Sequence, residues 1–359
     1  MYETMDLCVS CKGCKRECPT GVDMARMKIE FLDHYHRRHG VSFREKLFAY
    51  LPRYAPKLKA VGFLLNLRDQ VPGFAKISEW LLGVTSQRRL PRWRTDHFRF
   101  HGEDTEFEEG AKEVVLLVDT FNSCFESENA SAAVDVLSAA GYRVHCPRPL
   151  DGGRSLCCGR TFLSNGMVDE AKVEVLRTMT TLKPYVERGV PIVGIEPSCL
   201  LTLRDEYLVL FPGEESKRLA QNSFMLEEFL ANELDRGNLD LDLQALTTKK
   251  ALLHGHCHQK AFAALSPVER VLNLIPDLEI KTIDSSCCGM AGSFGYEKEH
   301  YDASMEMGSL SLFPAINEAE LDTLVVADGV SCRGQIEHGT GRQAMHVARV
   351  LQMALKTGN

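Results

Sequence analysis

Leu156-Cys157-Cys158-Gly159 and, 130 positions later, Ser286-Cys287-Cys288-Gly289 are one short pattern used twice, and this pair decides the fold. Each Cys-Cys-Gly has cysteine partners in the same order. Cys124 precedes the first and Cys199 follows it; Cys257 precedes the second and Cys332 follows it. The offset is 133 from Cys124 to Cys257 and 133 from Cys199 to Cys332. Offsets of 130, 133 and 133 point to one supersecondary unit used twice.

The segments between the cysteines support this. Apolar runs predict strands at 114–118, 143–146 and 191–195 in the first unit, with helices at 130–140 and 169–186 between them. The second unit reads as strands at 250–253, 279–283 and 323–327, with helices at 268–274 and 298–315. Alternating strands and helices predict parallel sheets joined by right-handed crossovers. The expected fold class is therefore α/β, a tandem of βαβαβ cysteine-rich domains. Cys124, Cys199, Cys257 and Cys332 closely follow predicted strands, where open α/β sheets bind ligands. Two metal sites are expected, one of Cys124, Cys157, Cys158 and Cys199, the other of Cys257, Cys287, Cys288 and Cys332. Adjacent cysteines in extended chain point to opposite sides, and the following glycine permits the turn that brings both sulfurs to one centre.

A third set lies at the N-terminus. Cys8-x2-Cys11-x2-Cys14-x3-Cys18-Pro19 has the bacterial ferredoxin spacing and predicts a 4Fe-4S cluster. In two-cluster ferredoxins the fourth cysteine of this run serves the other cluster, so Cys18 either closes its own cluster or serves another. A zinc ribbon would want two separated CxxC pairs instead. Asp23 is the expected N-cap of a helix over 24–36, ended by Gly40. Residues 43–84 read as helices broken at Pro52, Pro56 and Pro72. Residues 102–110 are acidic and read as a linker. The thirteenth cysteine, Cys146, lies in a predicted strand and reads as a packed thiol.

No basic start and apolar run marks a signal peptide, and no apolar run approaches the roughly 18 residues of a membrane span. Thiolate ligands suit a reducing compartment, so the expected location is cytoplasmic, with possible contact at the inner membrane face. The formal charge of −7 is uneven. Residues 1–101 hold 19 Lys or Arg against 10 Asp or Glu, about +9, leaving about −16 for the rest. A basic docking face for an acidic protein or an anionic lipid surface is expected. Nucleic acid is not, because no recognition motif accompanies the charge. No Ser–His–Asp order or phosphate loop argues for hydrolysis or kinase chemistry.

The Cys-Cys-Gly repeats resemble the cysteine-rich domains found in the heterodisulfide reductases, in glycolate oxidase iron–sulfur subunits and in anaerobic glycerol-3-phosphate dehydrogenases. The stretch Cys8–Leu32, CVSCKGCKRECPTGVDMARMKIEFL, and the tail Cys332–Arg342, CRGQIEHGTGR, resemble the C-terminal iron–sulfur module of FAD-linked 2-hydroxy-acid dehydrogenases of the D-2-hydroxyglutarate, D-lactate and glycolate type. The resemblance implies an electron-transfer module that passes electrons from a partner FAD domain or subunit to a quinone or other acceptor. FAD is then expected on the partner, not on this chain. The fused relatives carry a further cysteine-rich segment upstream, which would give Cys18 a cluster to serve. Where the full repeat ends in Cys-x-x-Cys, this sequence has Glu196 and Gly329. That departure argues against the non-cubane clusters of heterodisulfide reductase. Zinc or a second iron–sulfur cluster remains open for the repeats. So does a disulfide or quinone reductase acting there. His254, His256 and His258 bracket Cys257 as ligands or as donors to sulfur, and Glu196 is a candidate carboxylate ligand. The expected organisation is a ferredoxin-like segment at 1–40, a basic helical segment and linker at 41–110, and cysteine-rich domains at 111–245 and 246–359.

Overall fold

The computed structural model describes residues 2–101 and 112–356; the expected linker at 102–110 lies outside them. Among the described residues, eight strands form two sheets. β1 (Lys112–Leu117), β2 (Tyr142–His145), β3 (Ile192–Gly194) and β4 (Ser223–Met225) lie in the order β2-β1-β3-β4. β5 (Lys250–Leu253), β6 (Glu279–Thr282), β7 (Leu324–Val326) and β8 (Ala344–Met345) repeat it as β6-β5-β7-β8. Every pairing is parallel, with Val115 opposite Ile192 in one sheet and Leu253 opposite Val326 in the other.

Each unit thus has four strands, not the three of a βαβαβ unit. The fourth strands are only three and two residues long, too short to leave a readable alternation. The helix expected over 298–315 is two helices, Tyr301–Ser309 and Leu312–Asn317. Pro314 has no N–H for the Leu310 carbonyl, and its ring would clash with that oxygen in a continuous helix.

Both faces of the central strands are buried, as a parallel sheet covered by helices requires, while the edge strand β6 is partly exposed. Val114 and Leu116 face a core shared by the two repeats, whereas Val115 and Leu117 face a second cluster with Val175, Leu182 and Tyr207. The shared core is reciprocal. Helix Ser127–Ala139 of the first repeat packs on Val347–Ala354 of the second, and Leu226–Asp235 packs on Ser266–Leu272. The second helix of each repeat therefore meets the last helix of the other, an approximate two-fold relation.

The N-terminal third is helical and lies over this platform. Asp23 accepts from the Arg26 N–H and caps helix Met24–His39, which ends at Gly40. Ser42 and Glu45 form a capping box on Phe43–Ala49. The chain then breaks at the expected prolines into short pieces. The last two are Gly62–Gln70 and Phe74–Leu82, on either side of Pro72.

Leu351 is fully buried in the shared core. Leu351→Ala should cost about 2–5 kcal/mol. Because the core contains both repeats, urea melts of the variant should show one cooperative transition at a lower midpoint. Two separated transitions would mean that the repeats unfold independently.

Candidate metal centres

The second repeat gathers its four predicted cysteines. The side chain of Cys257 hydrogen-bonds to Cys287, Cys287 to Cys288, and Cys288 to Cys332. Cys257 opens helix Cys257–Ala261 directly after β5, and Cys332 lies in the first turn of Val330–Thr340 after β7. Gly289 has φ +93°, and its N–H points back to the Cys287 sulfur at 3.4 Å. A Cβ at Gly289 would stand 2.3 Å from the Ser304 carbonyl, so both conformation and space demand glycine.

His254 completes this group. Its ligand nitrogen and the sulfurs of Cys288 and Cys332 all lie within 4.8 Å of one another. Nδ1 is 2.9 Å from Ser285 Oγ, and the buried Nε2 has no hydrogen-bond partner. Burial pushes its pKa down to about 3, so the ring is neutral and has a lone pair to offer. Four thiols and an unpartnered buried imidazole nitrogen fit a soft metal or an iron–sulfur centre. His256 caps its helix by accepting from the His258 N–H. His258 Nε2 meets the Ser10 carbonyl at 3.1 Å. His338 bonds Tyr301 and His346 bonds the Ile195 carbonyl, away from the sulfurs.

The first repeat gathers three of its four. The thiol of Cys157 bonds to that of Cys158, and Cys158 bonds to Cys199. The N–H groups of Gly159 and Arg160 point at the sulfurs of Cys157 and Cys158 at 3.3 and 3.4 Å. Contact with Cys158 and then burial raise the Cys157 pKa well above the ordinary thiol value. Cys124 is not brought to this trio: it packs against Ala55 and Phe125. The 133-residue offset predicts that Cys124 stands where Cys257 does, and the strand and helix ends place it elsewhere. β1 ends at Leu117 and its helix starts at Thr120, capped by Asp119; β5 ends at Leu253 and its helix starts at Cys257, capped by His256. Thr120 therefore occupies the place of Cys257, and Cys124 falls about one helical turn later.

The positions of the lost fifth cysteine are already filled. Glu196 accepts from Ser198 Oγ at 2.8 Å and from the Val330 N–H at 2.9 Å, so it ties the repeats together. Burial and the nearby Asp119 carboxylate raise its pKa to about 7. At Gly329 a Cβ would lie 2.4 Å from His256 Cδ2, so the ring of His256 takes that space.

The N-terminal loop sits on the second repeat. Helix Gly13–Glu17 packs on Cys257–Ala261, and burial, with smaller contributions from the thiols of Cys257, Cys8 and Cys14, raises the Cys11 pKa. The Met24 N–H points at Cys14 Sγ at 3.3 Å, and Lys28 Nζ holds the Cys8 carbonyl at 2.7 Å. Ser10 and Lys12 both have left-handed φ, a tight winding that leaves Lys12 1% exposed. The Lys12 ammonium pairs with Asp205 and with Glu206 at 2.7 Å, and Arg160 joins Glu206 at 2.8 Å. Cys18 caps the C-terminal end of helix Gly13–Glu17, its N–H on the Cys14 carbonyl. It is 3.1 Å from Thr20 Oγ1, and that contact with the N–H groups of Val22 and Thr20 lowers its pKa to about 7.

Comparison with known proteins fits these two sulfur sites. The Cysteine-rich domain, CCG, matches residues 118–204 and again 251–337. The chain carries the CCG cysteine-rich domain twice. It is 28% identical over 298 residues to a subunit of the anaerobic glycerol-3-phosphate dehydrogenase of Escherichia coli (strain K12), covering 81% of this chain and 72% of that protein. It is 25% identical over 366 residues to D-2-hydroxyglutarate dehydrogenase of the same organism, covering 99% of this chain but 34% of that protein. The chain thus spans about a third of that relative. Lactate utilization protein A of Geobacillus thermodenitrificans (strain NG80-2) is 27% identical over 257 residues, 66% of this chain and 98% of its own length.

Sequence reasoning missed the groups that hold the CCG repeats and the loop together. Lys12, Asp205, Glu206 and Arg160 carry no local motif, and only a charge inside a metal-type loop hints at Lys12. Cys146 packs at the edge of the shared core, as expected.

Lys12→Met should loosen the N-terminal loop, because it leaves buried carboxylates short of a cation. Lys15, Arg26 and Arg160 still share that charge, so a loss of about 1.4 kcal/mol is expected, or roughly tenfold faster tryptic cleavage before residue 24. Unchanged cleavage would mean that Lys12 does not anchor the loop. His300 gives a pH test. Burial lowers its pKa, but hydrogen bonds to Asp6 and Glu297 outweigh this and raise it to about 9. Folding therefore favours the protonated ring. The stabilisation is complete below about pH 6.5 and is lost as pH rises through about 9. His300→Gln should lower the urea midpoint at about pH 6 and have little effect near pH 10.

Proposed function

We propose that this chain is the iron–sulfur electron-transfer module of a flavin-dependent 2-hydroxy-acid dehydrogenase. It would take electrons from a partner FAD domain and pass them to a quinone or another acceptor. The observation that carries this reading is adjacency. Helix Gly13–Glu17, which carries Cys14 of the N-terminal loop, packs on the helix that opens at Cys257, the first sulfur of the chain that runs to Cys332. The likeness of nearly the whole chain to one third of a D-2-hydroxyglutarate dehydrogenase supports the substrate class and a partner outside the present residues.

In this reading Cys8, Cys11 and Cys14 hold a 4Fe-4S cluster, and Cys18 serves it or a neighbouring one. Cys257, Cys287, Cys288 and Cys332, with His254, hold a second centre, and Cys157, Cys158 and Cys199 a third. A bound iron–sulfur cluster supplies one-electron chemistry at a potential set by burial and hydrogen bonds to sulfur. The residues of the chain do the rest. The N–H groups of Met24, Gly159, Arg160 and Gly289 point at sulfur and favour negative charge there. Lys12, paired with Asp205 and Glu206, anchors the loop to the first repeat, beside the Cys257 helix. The chemistry on the hydroxy acid belongs to the partner flavin. The protein works in the cytoplasm, at the membrane face if its acceptor is lipid-soluble.

Anaerobic reconstitution with iron and sulfide, followed by metal analysis and EPR of the reduced protein, tests this. The expected result is more than about four iron atoms per chain and a cluster signal. Cys11→Ser should abolish the signal of the N-terminal cluster. Zinc near two per chain with no reducible cluster would overturn the reading.

A further inference from the structure

A groove of about 1200 Å³ runs between the N-terminal helices and the two repeats. This exceeds the roughly 300–1,000 Å³ of an ordinary small-molecule site. Its inner end reaches Cys257, Cys287 and Cys288, with Arg160 and Ser198 beside them. Its wall passes Phe48 and Leu58 and ends at Leu64, Leu65, Phe74 and Ile77, which are all exposed. One end is thus sulfur-lined and polar, while the other opens through apolar side chains into solvent.

That outer end is unusual for a water-facing surface. Eight of the 20 exposed large apolar side chains among the described residues fall between positions 61 and 81, and Trp80 is 82% exposed. Seven of them belong to helices Gly62–Gln70 and Phe74–Leu82, which pack on each other, and the eighth, Val61, caps the first. The same region is basic: residues 41–101 hold 12 Lys or Arg and 4 Asp or Glu. Lys57, Lys76, Arg89 and Arg92 are exposed and form no salt bridge among the described residues. Exposed Trp, Phe and Leu set among unpaired cations suit an interface with anionic lipid, where the rings enter the head-group region and the cations meet phosphate. No described helix is long and apolar enough to cross a membrane, so this contact is with the surface.

We propose that the groove binds a lipid-soluble quinone, which reaches it from an anionic bilayer on which the Gly62–Gln70 and Phe74–Leu82 helices rest. The proposal rests on the electron-transfer reading and names the class of the acceptor. The apolar wall takes the tail. Arg160, whose guanidinium has more N–H groups than its bond to Glu206 uses, offers a donor to a carbonyl of the head, beside the sulfurs. A water-soluble acceptor would need no apolar mouth, and an acidic protein partner would answer the cations but not the length of the groove.

The test uses the reconstituted full chain, with its EPR signal recorded in the same sample. Calorimetric titration with decylubiquinone in dilute non-ionic detergent should show one site per chain. Phe48→Arg should weaken it by at least roughly tenfold, and Leu58→Glu, at a second point on the wall, should do the same. Vesicles containing phosphatidylglycerol should bind the protein, and neutral phosphatidylcholine vesicles should bind it at least roughly tenfold less. The exposed double variant L65E/I77E should lose vesicle binding. No heat with decylubiquinone, or unchanged titrations in both wall variants, would overturn the quinone site. Equal binding to neutral and anionic vesicles, or binding to neither, would overturn the lipid surface. A missing EPR signal alone would overturn the electron-transfer reading, while the titration would still decide the groove.

Discussion

The burial of one inner face of each sheet against the other positions every sulfur in the repeats. Val114 and Leu116 on β1, Ala251 and Leu253 on β5, and the helix pair Ser127–Ala139 with Val347–Ala354 form one apolar cluster. Water is excluded from the area between the sheets, and this sets their relative orientation. The carboxyl ends of β3 and β7 are brought together as a result. Glu196, just after β3, bonds the backbone just before Cys332, and His346 reaches back to the Ile195 carbonyl at 2.8 Å. These buried polar links have defined partners, which gives the interface one register where apolar packing alone would tolerate several.

The two repeats share a backbone but not a chemistry. Cys257 begins a helix in the second, where Thr120 stands in the first. The extra sulfur therefore lies on the side where the N-terminal loop docks. Glu196 and Gly329 hold equivalent places, yet one is a buried carboxylate joining the repeats and the other has been emptied for the ring of His256. Duplication supplies the scaffold; a few side chains on the loops after the strands decide what each copy can hold.

The loop itself is an electrostatic attachment. Lys12 is almost fully buried among Asp205, Glu206 and Asp23, with Lys15 and Arg26 adding their charge from outside. Buried ion pairs of this kind contribute little net stability but are costly to break on one side. They hold a short loop of low apolar content in one place, close to the Cys257 helix.

The sequence by itself determined a good deal. The Cys-Cys-Gly recurrence and the alternation of apolar runs marked two parallel α/β units, because strand and helix periodicity are local properties of the chain. The helix capped by Asp23 and the breaks at Pro52, Pro56 and Pro72 were legible for the same reason. The close grouping of Cys157 with Cys158, and of Cys287 with Cys288, follows from adjacency and a glycine that alone tolerates the turn. What spacing could not say was which distant residues meet. A 133-residue offset joined Cys124 to Cys257, but strand ends and helix starts set true equivalence, and they placed Thr120 there. His254 as a neighbour of Cys288 and Cys332, the anchoring of Lys12, and the groove from Leu65 to Cys287 all depend on packing between segments far apart in sequence. Only the tertiary structure decided them, because burial and charge pairing act through space and leave no period along the chain.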